Sequence, residues 1–189
     1  MKAGFLGRFQ PLHLGHKEVI HNYRERFSEF HILIGSAEKS RTERNPLTFE
    51  ERKKLIKNCF PDVEVLPIED TDESPEDTDW NDEVNKKWAE KFDKKGFDLI
   101  ISGNELVRDI ISNHTNIDVE KPEMYNQKIY SGTEVRRRIK SGEEWRYLTP
   151  KCSHESLESQ LDNIKKSGTQ YEFEPGWRRK NSFHSTAEK

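Results

Sequence analysis

Two histidines stand three positions apart early in the chain, in the stretch GRFQPLHLGH at residues 7–16. His13 and His16 lie where an apolar segment ends and an amphipathic one begins. Gly15 between them has no Cβ, so a ligand can approach the backbone closely. Arg8 flanks the same turn on its other side. Because the N–H groups and dipole of a helix start also attract anions, this combination predicts a phosphate-binding site.

A metal site is the main alternative for a histidine pair of this kind. A zinc site needs three or four protein ligands, and neither a carboxylate nor a third histidine stands near enough in the sequence to complete the set. The phosphate site is therefore favoured, and no metal ligand is predicted. We interpret the remaining histidines as structural or surface residues, namely His21, His31, His114, His154 and His184.

Short apolar runs alternate with amphipathic runs along most of the chain. The spacing predicts strands at 3–7, 30–35, 63–68 and 98–102, and helices at 15–27, 48–60, 81–92 and 152–166. Thr48 and Glu51 have the spacing of a capping box, which marks a helix start. The alternation predicts an α/β protein with a doubly wound parallel sheet. Such sheets bind ligands at the carboxyl ends of their strands.

The composition excludes several classes of protein. The 189 residues suit one domain, and 32 basic against 35 acidic residues give a net charge of −3. That balance offers no case for non-specific binding of nucleic acid. No run approaches the roughly 20 apolar residues of a membrane span, and the chain enters a strand rather than a signal segment. We expect a cytoplasmic protein with neither nucleic acid nor membrane as partner, in which the isolated Cys59 and Cys152 are reduced thiols.

The histidine stretch resembles the H-x-G-H signature of the nucleotidyltransferase superfamily, which shares the nucleotide-binding fold of class I aminoacyl-tRNA synthetases. The second signature of that superfamily matches YSGTEVRRRI at 130–139, in which Ser131 and Glu134 have capping-box spacing. The resemblance implies a Rossmann-like nucleotidyltransferase fold with short C-terminal helices. We accordingly divide the chain into a nucleotidyltransferase domain at 1–150, a C-terminal helix packed on it at 151–167, and a flexible tail at 168–189.

Further stretches narrow the resemblance to the archaeal-type nicotinamide mononucleotide adenylyltransferases. They are GRFQP, IGSAEKSRTERNPLTFEER at 34–52, ISGNELV at 101–107 and YSGTEVRRR, and the likeness runs from residue 2 to about 148. It implies transfer of AMP from ATP to nicotinamide mononucleotide by in-line attack on the α-phosphate, with Mg²⁺ carried by ATP. It also implies a homo-oligomer. Two alternatives stay open, which are transfer to nicotinic acid mononucleotide and a non-catalytic nucleotide-binding regulator.

The family motifs imply roles for the matching positions of this chain. The implied catalytic residues are His13, His16, Arg8, Arg44 and Arg136. The implied ATP-binding residues are Gly7, Arg8, Phe9, His13, His16, Gly103, Asn104, Ser131, Thr133 and Arg136. The implied mononucleotide-binding residues are Trp80, which would stack on the nicotinamide ring, and Ser36, Arg44 and Asp77.

Asp77 departs from the family pattern, in which an Asn stands three residues before the Trp and reads the carboxamide of nicotinamide. An aspartate accepts hydrogen bonds but offers no amide N–H, so Asn81 or Asn85 would have to supply it. A carboxylate would also repel nicotinic acid mononucleotide. We therefore expect nicotinamide to remain the preferred ring.

Overall fold

The computed structural model describes residues 1–70, 82–123, 126 and 128–168, which form a five-stranded sheet between two layers of helices. One-turn 3₁₀ helices at Arg146–Leu148 and Lys151–Ser153 precede the last two α-helices. The other elements, in chain order, are β1 (Lys2–Gly7), α1 (Leu14–Tyr23), β2 (Glu29–Gly35), α2 (Phe49–Cys59), β3 (Glu64–Ile68), α3 (Asp82–Lys94), β4 (Leu99–Ile101), α4 (Glu105–His114), β5 (Asp118–Glu120), α5 (Gly132–Ser141), α6 (His154–Glu158) and α7 (Leu161–Lys166).

The sheet is parallel throughout and has the strand order β3-β2-β1-β4-β5. The first strand is therefore the central one, and Ala3 lies opposite Phe30 of β2 on one side and Leu99 of β4 on the other. The chain winds outward from β1 to β3 and then returns to β4, so the strand order reverses between β1 and β4. Ligands bind at such a switch point in doubly wound sheets, and the prediction of this architecture is confirmed.

Alternate residues of the strands face opposite layers of helices. Phe5 belongs to a core formed with α1, α2, α5 and the C-terminal helices, whereas Leu6 belongs to a core formed with α3 and α4. Both faces of the sheet are covered, which explains why its strands read as nearly continuous apolar runs. Leu157 and Ile164, on α6 and α7, are completely buried in the first core.

The predicted capping box at the start of α2 is confirmed. The Thr48 hydroxyl accepts from the backbone N–H of Glu51 at 3.2 Å, and the Glu51 carboxylate accepts from the Thr48 N–H at 2.8 Å. At the start of α5 only half of the box forms. The Ser131 hydroxyl accepts from the Glu134 N–H at 3.2 Å, but the Glu134 carboxylate turns to Arg137 and Arg138.

Several element boundaries differ from the sequence prediction. The helix predicted at 152–166 is a 3₁₀ turn followed by the short helices α6 and α7, because Gln160 leaves helical geometry with φ −108° and ψ 0°. The helix predicted at 15–27 ends at Tyr23. The prediction also missed α4 and β5. That last strand has three residues, none of them fully buried, so it lacks the apolar run by which the other strands were recognised.

The prediction that the two cysteines are reduced thiols is wrong, because Cys59 and Cys152 form a disulfide. Cys59 is the last residue of α2, Cys152 lies in the second 3₁₀ turn, and their Cα atoms are 5.3 Å apart. The two residues are 93 positions apart in the chain, so their spacing carries no information about this contact. The packing of the C-terminal segment against the end of α2 decides it.

The disulfide predicts a measurable contribution to stability. Replacing both residues, as Cys59→Ser with Cys152→Ser, should lower the free energy of unfolding by about 2–4 kcal/mol, because the crosslink restricts the unfolded chain. Urea titration with and without dithiothreitol measures this. The reductant should lower the wild-type midpoint and leave the double variant unchanged. Equal midpoints for oxidised wild type and double variant would contradict the prediction.

Candidate active site

The loop between β1 and α1 lies at the switch point and holds a strained turn. Phe9 has φ +50°, a left-handed conformation that residues with a Cβ adopt at a cost. Its ring is 1% exposed and lies 5.6 Å from the Phe5 ring and 4.4 Å from the His16 ring, measured between centroids. Core packing therefore fixes the turn that brings Arg8 to the end of the sheet.

His13 and His16 meet at the start of α1 as the motif predicts. His13 is the N-cap of the helix, and its Nδ1 accepts from the backbone N–H of His16 at 3.4 Å. The two rings stack with centroids 3.6 Å apart and planes 26° from parallel. Since Nδ1 of His13 acts as an acceptor, its neutral ring carries the proton on Nε2, which is then a hydrogen-bond donor.

Both imidazoles are held in the neutral form. Burial lowers the pKa of His13 to about 3. The pKa of His16 lies well below its usual value, first because of burial and then because of the neighbouring His13. Nδ1 of His16 is buried and has no hydrogen-bond partner among the described residues. Nε2 of His16 faces the end of β1, where a Cβ added to Gly7 would lie 3.6 Å from it.

Three arginines from three separate segments converge at this end of the sheet, Arg8 and Arg44 from loops and Arg136 from the first turns of α5. The pKa of Arg8 is lowered to about 10, first by burial and then by the positive charges of Arg44 and Arg136, while Asp70 opposes the effect. Burial also lowers the pKa of Arg136, with Glu43 opposing and Arg44 assisting. With a pKa of about 10, Arg8 stays charged at neutral pH. An anion is the partner that such a concentration of positive charge attracts.

The N-terminus of α5 closes against the first loop. Arg136 donates from Nη1 to the carbonyl oxygen of Gln10 at 2.6 Å and from Nη2 to the Thr133 hydroxyl at 3.4 Å. A Cβ on Gly132 would lie 2.7 Å from the Gln10 oxygen, so this position needs glycine. An open cleft of about 490 Å³ runs along the helix, lined by Glu43, Arg44, Thr133, Arg136, Arg137, Lys140 and Ser141.

The other two arginines of the RRR run are paired with carboxylates, although Arg137 also lines the cleft. Arg137 and Arg138 donate to Glu134, and Arg137 also donates to Glu143. Arg137, followed by Arg138, lowers the pKa of Glu134 to about 2. Carboxylates therefore balance the charges of these two arginines. Arg136 is bonded to a carbonyl and a hydroxyl instead, so its positive charge can attract an anion in the cleft.

The remaining predicted residues that the structure describes follow β2 and β4, the two strands that flank β1, at the same edge of the sheet. Ser36 comes directly after β2 and has φ +46°. Gly103 and Asn104 follow β4 and are exposed, and the Asn104 side chain makes no capping hydrogen bond although it occupies the N-cap of α4. Trp80 and Asp77 lie outside the described residues, so the structure does not place them. Within the described ranges no three His, Cys, Asp or Glu side chains are grouped to hold a metal ion.

Arg52 is a residue of the site that the sequence reasoning missed. Its guanidinium is completely buried and lies behind the two loops that carry Arg8 and Ser36, and burial lowers its pKa to about 10. The sequence does carry a signal, because Arg52 falls on the buried stripe of α2 with Leu55 and Ile56. The guanidinium donates to five backbone carbonyls, those of Arg8, Gly35, Ser36, Ala37 and Thr48.

Arg52 should be essential for stability. Arg52→Met leaves several buried carbonyls without donors, at a cost of about 1–3 kcal/mol each, so we expect a loss of roughly 3 kcal/mol or more in the free energy of unfolding. Urea denaturation measures the loss. Lys54→Met, at an exposed position of the same helix, is the matched control and should change stability by less than about 0.5 kcal/mol. Equal effects of the two substitutions would contradict this account.

The sequence of this chain is similar to those of known nucleotidyltransferases. The sequence profile of the cytidylyltransferase-like family matches residues 5–138. A protein of Methanococcus aeolicus named nicotinamide-nucleotide adenylyltransferase is 38% identical over 157 residues, which are 79% of this chain and 84% of the relative. A protein of the same name from Methanococcus vannielii is 36% identical over 156 residues, with the same coverage of both chains.

A solved structure has the same fold. The bifunctional NMN adenylyltransferase/ADP ribose pyrophosphatase of Francisella tularensis, complexed with AMP and a manganese ion, aligns with a TM-score of 0.64 at 19% identity. The alignment covers 86% of this chain and 51% of that one, so this chain spans about half of the bifunctional protein.

Proposed function

Because this chain belongs to the cytidylyltransferase-like family, and within it to the nicotinamide-nucleotide adenylyltransferases, we propose that it transfers the adenylyl group of ATP to nicotinamide mononucleotide. The products are NAD and pyrophosphate. The observation that carries the proposal is the cluster of Arg8, Arg44 and Arg136 beside two stacked neutral imidazoles at a helix start. This arrangement suits a reaction between two phosphate-bearing molecules.

The reaction requires alignment and charge stabilisation rather than a covalent intermediate. An oxygen of the mononucleotide 5′-phosphate attacks the α-phosphorus of ATP, the bond between that phosphorus and the bridging oxygen breaks, and pyrophosphate leaves with the electron pair. No proton needs to be removed from the nucleophile, because it is already ionised at neutral pH. The protein has to hold two polyanions in line and offset their repulsion.

The ATP side of the site follows from the donors at the start of α1 and α5. We assign His13 and His16 to the phosphates around the reacting phosphorus, because neutral imidazoles donate hydrogen bonds from fixed positions. Ser131, Thr133 and Arg136 are assigned to the departing β- and γ-phosphates at the N-terminus of α5. Gly7, Arg8 and Phe9 would border the phosphates, and Gly103 and Asn104 the ribose or adenine.

The acceptor side is assigned to the loops after β2 and β3. Arg44 lines the cleft and would contact the mononucleotide phosphate, with Ser36 beside it. Trp80 and Asp77 are assigned to the nicotinamide ring. Nicotinic acid mononucleotide is the alternative acceptor, and the choice depends on that ring pocket.

A divalent cation would accompany ATP as part of the substrate. We propose that this cation is Mg²⁺, which would enter with ATP and be held mainly by substrate and water, as is usual for this ion. The chemistry it supplies is neutralisation of charge on the leaving pyrophosphate.

The proposed partners are small molecules. None of the helices in the described ranges is long and apolar enough to cross a membrane. The homo-oligomer that the family resemblance implies stays a prediction, to be checked by light scattering of the purified protein.

The proposed reaction can be tested directly. Purified protein is mixed with ATP, Mg²⁺ and nicotinamide mononucleotide, and NAD is detected with a coupled dehydrogenase. A parallel reaction contains nicotinic acid mononucleotide, and its product is read by chromatography. We expect NAD in the first reaction. If product forms only in the second reaction, the acceptor is nicotinic acid mononucleotide instead. If the protein binds ATP saturably but releases no pyrophosphate in either reaction, the result supports a non-catalytic nucleotide-binding regulator.

His16→Ala should reduce turnover by roughly 10²–10³-fold, as loss of a donor to the transition state does. Thermal unfolding should show that the variant still folds. His21→Ala, at an exposed position of the same helix, is the matched control and should keep normal turnover. Near-normal turnover of His16→Ala would remove His16 from the site.

A further inference from the structure

Gln10 is a buried polar residue in the first loop for which the proposed reaction has no use. It is 3% exposed, and its side-chain amide pairs with the main-chain N–H and C=O of one residue of the next loop. Nε2 donates to the Leu47 carbonyl at 2.9 Å, while Oε1 accepts from the Leu47 N–H at 3.0 Å. The amide group therefore closes a two-bond ring between residues that are 37 positions apart.

The main chain of Gln10 makes a second connection. Its carbonyl oxygen accepts from Arg136 at 2.6 Å, and α5 approaches it so closely that a Cβ at Gly132 would lie 2.7 Å away. Gln10 is thus bonded to the α5 end of the cleft through its backbone. Through its side chain it is bonded to the loop between β2 and α2, residues 36–48, which we call the Leu47 loop. Arg8, two residues earlier, belongs to the same loop as Gln10.

The Leu47 loop needs such a connection because it carries Arg44. This loop is closed by backbone and side-chain bonds between Thr42 and Asn45, so a shift of Leu47 moves Arg44 with it. Arg44 is exposed and repels both Arg8 and Arg136. Repulsion would drive the loop outward when no phosphate is bound. The two bonds from Gln10 oppose that movement and involve no carboxylate that would neutralise the arginines.

We propose that Gln10 is a positioning residue for adenylyl transfer. It holds Arg44 at the phosphate site through its two hydrogen bonds to the main chain of Leu47. This inference rests on the proposed function and adds to it a residue that contacts no substrate. It predicts that the side chain of Gln10 acts through Arg44, so that the two residues form one functional unit.

A double-mutant cycle tests this dependence. The variants are Gln10→Met, Arg44→Ala and their combination, and kcat/KM is measured for ATP and for the mononucleotide. Misplacement of a substrate-positioning group by about 1 Å can cost around 10²-fold, so we expect a loss of that order from Gln10→Met. If Gln10 acts through Arg44, the combination should be no worse than the more damaging single change.

Two results would overturn the proposal. One is a combined loss equal to the product of the single losses, which would show independent action. The other is a Gln10→Met enzyme within twofold of wild type. Thermal unfolding is followed for every variant, and Ile111→Val, in the core on the far side of the sheet, controls for general destabilisation. It should retain wild-type kcat/KM.

A second substitution keeps the test valid if Gln10→Met does not fold. Gln10→Glu retains the acceptor for the Leu47 N–H and loses the donor, and it enters the same cycle. Failure of the proposed function is seen separately, as the absence of dinucleotide product from wild-type protein. In that case the cycle is measured by titration calorimetry on the binding of the mononucleotide, whose phosphate Arg44 is assigned to contact, and on the binding of ATP, with the same two outcomes.

Discussion

Repulsion among three guanidinium groups is the constraint on which the rest of this structure depends. Arg8 and Arg44 come from two loops and Arg136 from helix α5, and burial lowers the pKa of Arg8 and of Arg136. Bringing like charges together in a partly dry site is unfavourable without a ligand. The fold must therefore hold the two loops and the start of α5 in place before a phosphate binds. The bound phosphate then offsets the repulsion.

The protein meets this constraint with neutral hydrogen-bond partners. Arg52 is bonded to five backbone carbonyls, and Arg136 to the carbonyl of Gln10. On the surface, by contrast, Arg137 and Arg146 are paired with glutamates. A carbonyl orients a guanidinium without cancelling its charge, whereas a carboxylate does both. An arginine bonded to carbonyls can therefore still attract an anion, whereas the charge of an arginine paired with a glutamate is already balanced.

The two histidines contribute hydrogen bonds without adding to the repulsion. Burial keeps both rings neutral, with a further contribution from His13 to the lowered pKa of His16, and His13 also caps the helix that follows. A charged imidazole in this position would strengthen anion binding but would further destabilise the empty site. Since the proposed reaction needs no proton transfer from its nucleophile, neutral donors in fixed positions are sufficient.

The sequence by itself determined the alternation of strands and helices, the doubly wound class, the capped start of α2 and the two signatures, because periodicity and capping depend on residues close together in the chain. Residues 77 and 80 lie outside the described ranges, so their assignment still rests on the sequence. Only the tertiary structure decided which arginine of the RRR run is bonded to the first loop, that Cys59 is crosslinked to Cys152, and that Arg52 and Gln10 are bonded to the backbone of distant loops. These features depend on contacts between residues far apart in the chain, and local patterns carry no record of which distant backbone groups will come within hydrogen-bonding distance.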